Sequence, residues 1–166
     1  MRFAPRSIAC FLGLALGATA AHCAGTVQVA YVQPDRYADV GRMRYEVERN
    51  LNELTSQFEA LGRRRLADDQ TLRIEVLDVD LAGELRPSRR SAEDIRVVRG
   101  TVDWPRIRLR YTLESAGQPV RSGERVLQDM AYLQRLGSAG VHGALPYEYR
   151  MLEQWFGAEF GPAASK

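Results

Sequence analysis

The sequence predicts one α+β domain, a mixed and largely antiparallel sheet with a long N-terminal helix and a C-terminal helix packed on it. Three patterns carry this. Ile107, Leu109, Tyr111 and Leu113 alternate with Arg106, Arg108, Arg110 and Thr112, the period-2 signature of a half-buried strand. Met43, Val47, Leu51, Leu54, Phe58 and Leu61 recur at spacings of three and four, a helical stripe. After Pro146, Tyr147, Met151, Leu152, Trp155, Phe156 and Phe160 form a second one.

In chain order, the first strand covers residues 27–32, where Val27, Val29 and Tyr31 share one face and Pro34 stops the pattern. Asp39 is positioned to cap the helix that follows, and Gly62 to end it. Arg63, Arg64 and Arg65 then lie where cations suit a helix C-terminus, so they read as a solvated helix end before a phosphate patch. The next strand starts near Thr71 with Leu72, Ile74 and Val76 in phase. Leu77, Val79 and Leu81 take the opposite phase, which requires either burial on both faces or a bulge near Val76 and Leu77. If the long helix joins parallel neighbours, that crossover is right-handed.

Gly83 closes this strand, and residues 86–94 read as a polar loop around Pro87. A third strand is expected over 95–101. Trp104 and Pro105 restart the chain before the arginine-bearing strand. The tetrad Ser115, Ala116, Gly117 and Gln118 predicts a hairpin into residues 120–127, where Glu124, with Glu114, can offset the arginine face. A short helix is expected over 130–136, then a glycine-rich loop to Gly143 and the final helix. Residues 161–166 read as a flexible tail.

The N-terminus has the order of a signal peptide. Arg2 and Arg6 precede an apolar run over 8–16 and then Gly17, Ala18, Thr19, Ala20 and Ala21. A spanning helix needs roughly 20 apolar residues, and this run is shorter and interrupted by Gly13. Residues 1–21 are therefore expected to be cleaved, with the cut as late as 24, leaving a single domain over 25–160 and no transmembrane segment. Cys23 follows His22 and not a small residue, which disfavours a lipid anchor. The expected location is periplasmic or secreted.

Removing the leader changes the chemistry of what remains. The chain has 23 basic and 21 acidic residues, so losing Arg2 and Arg6 leaves 21 against 21. A balanced chain lacks the cationic surplus on which non-specific nucleic-acid binding rests, so no nucleic-acid partner is expected. The two cysteines are Cys10 and Cys23, so no internal disulfide can staple the domain. About 140 residues can bury roughly two thirds of their unfolded surface, enough for a core-stabilised fold.

Candidate sites are few. From Arg86 to Arg110 there are eight arginines against Glu93, Asp94 and Asp103, and this local excess makes Trp104, Arg106, Arg108 and Arg110 the candidate interaction surface. Asp78 and Asp80 share a strand face with Glu84 close behind, a set of oxygen ligands suited to a hard cation, against the plainer reading of solvated acids at a strand end. His142 stands near Ser138 in a glycine-rich segment that matches neither a nucleophile elbow nor a phosphate loop, so a surface loop is favoured. No cofactor motif is present.

The segments DVDLAGE (78–84), WPRIRLRY (104–111), SGE (122–124), DMAYL (129–133) and YEYRMLEQWF (147–156) resemble a bacterial family, the domain of unknown function numbered three thousand and sixteen. The resemblance spans nearly all of the chain after the leader. It implies a short, exported protein of the bacterial envelope without an assigned activity. At one position this chain carries Ala131 where the family pattern has asparagine, which removes a polar group there. The functional expectation is a non-enzymatic binding or interaction module of the cell envelope, its partner an envelope protein or ligand. The alternatives are a metal-assisted hydrolase using Asp78, Asp80 and Glu84, and a protein released to the medium.

Overall fold

The structure, a computed structural model, describes residues 25–88, 95–100, 102–134 and 143–161. The predicted leader with Cys10, His22 and Cys23, the Ser138/His142 segment, and the tail from 162 onward lie outside the described residues.

Four strands form the main sheet: β1 (Thr26–Tyr31), β2 (Gln70–Asp80), β5 (Arg106–Ser115) and β6 (Gln118–Gln128), in the order β1-β2-β5-β6. β1 runs parallel to β2, as the intervening helix α1 (Arg44–Arg65) demands, and the other two pairings are antiparallel. Two three-residue strands, β3 (Glu84–Arg86) and β4 (Ile95–Val97), pair separately, and α2 (Pro146–Phe160) closes the fold. The fold class is the predicted one. Among the described residues, no helix is long and apolar enough to cross a membrane.

The phase switch in β2 is a bulge. Val76 pairs with Leu109 and Asp78 with Arg108, so Leu77 is the additional residue. Leu72, Ile74 and Val76 are buried before it and Val79 after it, so the bulge keeps one strand facing one core. The predicted hairpin also forms. Ala116 and Gly117 both have positive φ, 49° and 76°, the combination a two-residue type I′ connection requires. Alanine pays a steric penalty there that asparagine largely avoids. Ala116→Asn is expected to raise stability by about 0.5–1 kcal/mol, measurable as a higher urea midpoint at unchanged slope.

Several local expectations are corrected. Asp39 does not cap α1; the Glu46 carboxylate does, accepting the Arg42 and Met43 N–H groups at 2.9 Å each. Met43 precedes the helix and is exposed. Gly62 does not end the helix. A Cβ there would lie 2.1 Å from Val27 Cγ2, so glycine is what lets α1 lie against β1 as the helix continues to Arg65. Of the arginine triplet only Arg63 is a plain solvated end, 3.8 Å from Glu59. Arg64 donates to the Tyr149 hydroxyl and Arg65 to the Gly161 carbonyl, both at 2.9 Å, fastening α2 to α1. The 95–101 strand is shorter than expected and stands outside the main sheet, paired with residues read as the edge of a loop. Residues 130–134 form turns instead of a helix, with the Gln134 N–H bonded to the Ala131 carbonyl at 3.0 Å.

Both helices cover the same sheet face. Ile107, Leu109, Tyr111 and Leu113 of β5 are buried beneath Leu54, Phe58 and Leu61 of α1 and Met151, Leu152, Trp155 and Phe156 of α2. The α2 stripe is thus core, as its aromatic content predicted. Ring centroids of Tyr111 and Trp155 lie 5.6 Å apart, near edge-to-face, and Phe58 meets Trp155 at 87°.

Candidate functional site

Strand alternation that buries the apolar side chains of β5 necessarily sends Arg106, Arg108 and Arg110 to the other face, where all three are exposed. The register decides what they meet. Arg106 is 3.3 Å from Asp80 of β2. Arg110 lies 3.0 Å from Glu75 of β2 and 3.6 Å from Glu124 of β6. Arg73 of β2 pairs with Glu114 at 2.8 Å and also donates to Gln28 of β1. The cationic stripe of the sequence is therefore one row of a mixed-charge face, with Arg73, Arg106, Arg108 and Arg110 set against Glu75, Asp78, Asp80, Glu114 and Glu124.

Arg108 breaks the pattern. Its cross-strand neighbours are Asp78 on one side and the exposed Val126 on the other. Asp78 turns its Oδ1 to the Ala38 N–H at 2.9 Å. Among the described residues the Arg108 guanidinium has no ion-pair or hydrogen-bond partner, and neither has that of Arg36, whose backbone N–H donates to the Gln33 carbonyl at 2.9 Å. Both line one open groove of about 640 Å³, whose other walls include Leu77, Asp78 and the paired Arg110 and Glu124.

The groove's upper rim is the segment that leaves β1. Gln33 has φ 53°, and Pro34, Asp35 and Arg36 make one 3₁₀ turn. The chain is then pinned alongside the bulge. The Val76 carbonyl accepts from the Val32 N–H at 2.9 Å and from the Tyr37 hydroxyl at 2.8 Å. Burial pushes the Tyr37 hydroxyl up to about 12, so it remains a donor at physiological pH.

The acidic candidates are each engaged by other groups. Asp80 is engaged by Arg106, Asp78 by Ala38, and Glu84 lies on β3 at 3.0 Å from Arg86. Among the described residues, no group of three metal-ligating side chains converges. Burial raises the Asp80 carboxyl above its ordinary value, Arg106 pulls it down, and Asp39 and Asp78 add to the rise. Trp104 is half-buried and does not line the groove. Its neighbour Asp103 accepts from the Arg99 N–H, the Gly100 N–H and the Tyr132 hydroxyl at 2.8–3.0 Å, which fixes the chain just before β5.

A second polar cluster escaped the sequence reading. Arg96 of β4 donates to the Asp39 carboxylate at 2.9 and 3.3 Å and to the Gly83 carbonyl at 2.8 Å. Close by, the buried Glu148 of α2 accepts the Ala82 N–H at 2.8 Å. Burial raises the Glu148 carboxyl above its ordinary value, against the pull of the Ala82 N–H and Arg96. The folded chain thus holds this proton more tightly than the unfolded chain. Its contribution to stability is fully present below the ordinary carboxyl value and falls as pH rises through and above that range. Glu148→Gln keeps an acceptor for Ala82 and removes the titration. It is expected to be more stable than the wild type at pH 7, with the advantage shrinking towards pH 4 in paired denaturation curves.

Two helices on one face of a four-stranded mixed sheet, with a charged second face exposed among the described residues, define an open-faced α+β domain. The chain belongs to the family described as protein of unknown function (DUF3016), which matches residues 25–158. No curated protein and no solved structure matches the chain.

Proposed function

We propose that this protein is an exported, non-enzymatic binding module of the cell envelope, and that its contact surface is the exposed sheet face centred on Arg108. The observation that carries the reading is Arg108, unpaired among the described residues and beside an open groove, on a face where the other strand arginines each meet a carboxylate. The helical face is occupied by the core, and the polar cluster around Arg96 satisfies its own hydrogen bonds. The leader-like residues 1–21 support export, with the periplasm as the proposed destination and the medium as the alternative.

Osmotic-shock fractionation is expected to recover a shortened chain in the periplasm; full-length chain in the cytoplasm would contradict export. Crosslinking in cells is expected to join an envelope component to the wild type and not to Arg108→Glu. Recovery of no component, or of one indifferent to that reversal, would contradict the surface.

A further inference from the structure

We propose that Arg108 and Arg36 together hold the anionic head, a phosphate or a carboxylate, of a small amphipathic ligand lying in the groove over Leu77. The proposal rests on the sheet face being the contact surface and adds the chemistry of what that surface takes.

Charge placement argues for one anionic head. Arg73, Arg106 and Arg110 each have a carboxylate within 3.3 Å. Arg108 has Asp78 across the strand, which turns its Oδ1 to the Ala38 N–H and forms no ion pair with Arg108, and the apolar Val126. Arg108 is thus the arginine of this face whose guanidinium can turn its donors to an anion in the groove. A guanidinium presents a planar fork of donors that matches carboxylate and phosphate oxygens, and two of them can grip a single head from two directions.

Arg36 is brought to the groove by a rigid rim. The left-handed Gln33 and Pro34 set the turn, and Tyr37 and Ala38 are bonded to Val76 and Asp78 on either side of the bulge. A rim fixed before binding leaves mainly the two arginine side chains to be ordered.

The same bulge shapes the floor. Leu77, the additional residue, lines the groove with Val32 and Ala38, so apolar atoms lie beside the guanidiniums. A volume of about 640 Å³ suits a small molecule. Size and charge also argue against a polyanion. The strands of this face carry four arginines against five carboxylates, and Arg36 on the rim only evens the count, so a nucleic acid or an anionic bilayer would meet no cationic surplus beyond the groove.

The test is an NMR titration of the purified protein that follows the arginine Nε–Hε signals, with hexyl phosphate, hexanoate and inorganic phosphate as probes. The expected result is saturable movement of the Arg36 and Arg108 signals with hexyl phosphate or hexanoate, the tighter of the two identifying the head. Inorganic phosphate is expected to bind more weakly than hexyl phosphate. Arg108→Gln and Arg36→Gln are each expected to weaken binding by about tenfold. Arg106→Gln, whose partner is Asp80, should change it by less than about twofold.

No saturation with either tailed probe, equal loss in Arg106→Gln and Arg108→Gln, or a tail that adds nothing overturns the proposal. If the probes fail while Arg108-dependent crosslinks persist in cells, the ligand chemistry falls and the contact surface stands. If both fail, the contact surface falls with it.

Discussion

Phe58→Ala is expected to lower the unfolding free energy by about 3–5 kcal/mol, the largest effect of any single truncation proposed for this chain. Phe58 is fully buried on α1 and meets the rings of both Trp155 and Phe156 at centroid distances of 6.5 Å. Those two rings, with Tyr111 and Phe160, join α2 to the sheet. Truncation opens a cavity where three elements meet, and neighbours so extensively interlocked cannot collapse into it without losing their own contacts. A domain of this size has about 5–15 kcal/mol in total, so the variant should sit near the edge of folding. Urea denaturation checks this, with the exposed Met43→Ala as a control expected within about 0.5 kcal/mol of the wild type.

Arg96→Met is expected to cost about 2–3 kcal/mol and to act locally. Its guanidinium bonds to both oxygens of Asp39 and reaches the carbonyls of Leu81, Ala82 and Gly83 at 2.8–3.4 Å. The two side chains are 22% and 26% exposed, so solvent reduces the effect below that of a fully buried pair. Methionine fills similar volume and leaves the Asp39 carboxylate with the Gly41 N–H at 3.3 Å and the Gly83 carbonyl without its side-chain donor. Since Arg96 is the main polar tie between β4 and the end of β2, amide exchange should accelerate at β3 and β4 first. Uniform acceleration across the main sheet would show that Arg96 supports the whole fold.

Much of this architecture was legible because it repeats. The alternation in β5 fixed which side chains of that strand are buried, and the phase switch at Val76 and Leu77 marked the place of the bulge. What was illegible depends on single contacts. β3 spans three residues, too few to show a period, and Arg96 lies in a short strand where alternation alone says nothing of Asp39. Gly62 looks like a helix stop in sequence because its reason for being glycine, the approach of Val27, comes from a strand 35 positions earlier. Glu46 was missed as a cap because no serine or threonine stands at Met43 to complete the usual pair.

The candidate surface was legible in part for the same reason. The arginine row was readable, but its carboxylate partners sit on β2 and β6 and depend on register. Only with Glu75, Asp80 and Glu124 in place does Arg108 stand out from Arg106 and Arg110. Arg36 gave no periodic signal at all. Its place in the groove follows from one turn and from the Tyr37 and Ala38 bonds to the bulge.

The central claim is that the exposed sheet face makes contacts while the helical face serves as scaffold. It is tested most directly by a photocrosslinking residue placed at Val126, beside Arg108, and in a second variant at Glu59 on α1, with adducts read in cells from the mass of the intact protein. The account predicts a defined adduct from position 126 that disappears with Arg108→Glu, and none from position 59. An adduct from position 59 with none from 126, or one at 126 that survives the charge reversal, would contradict it.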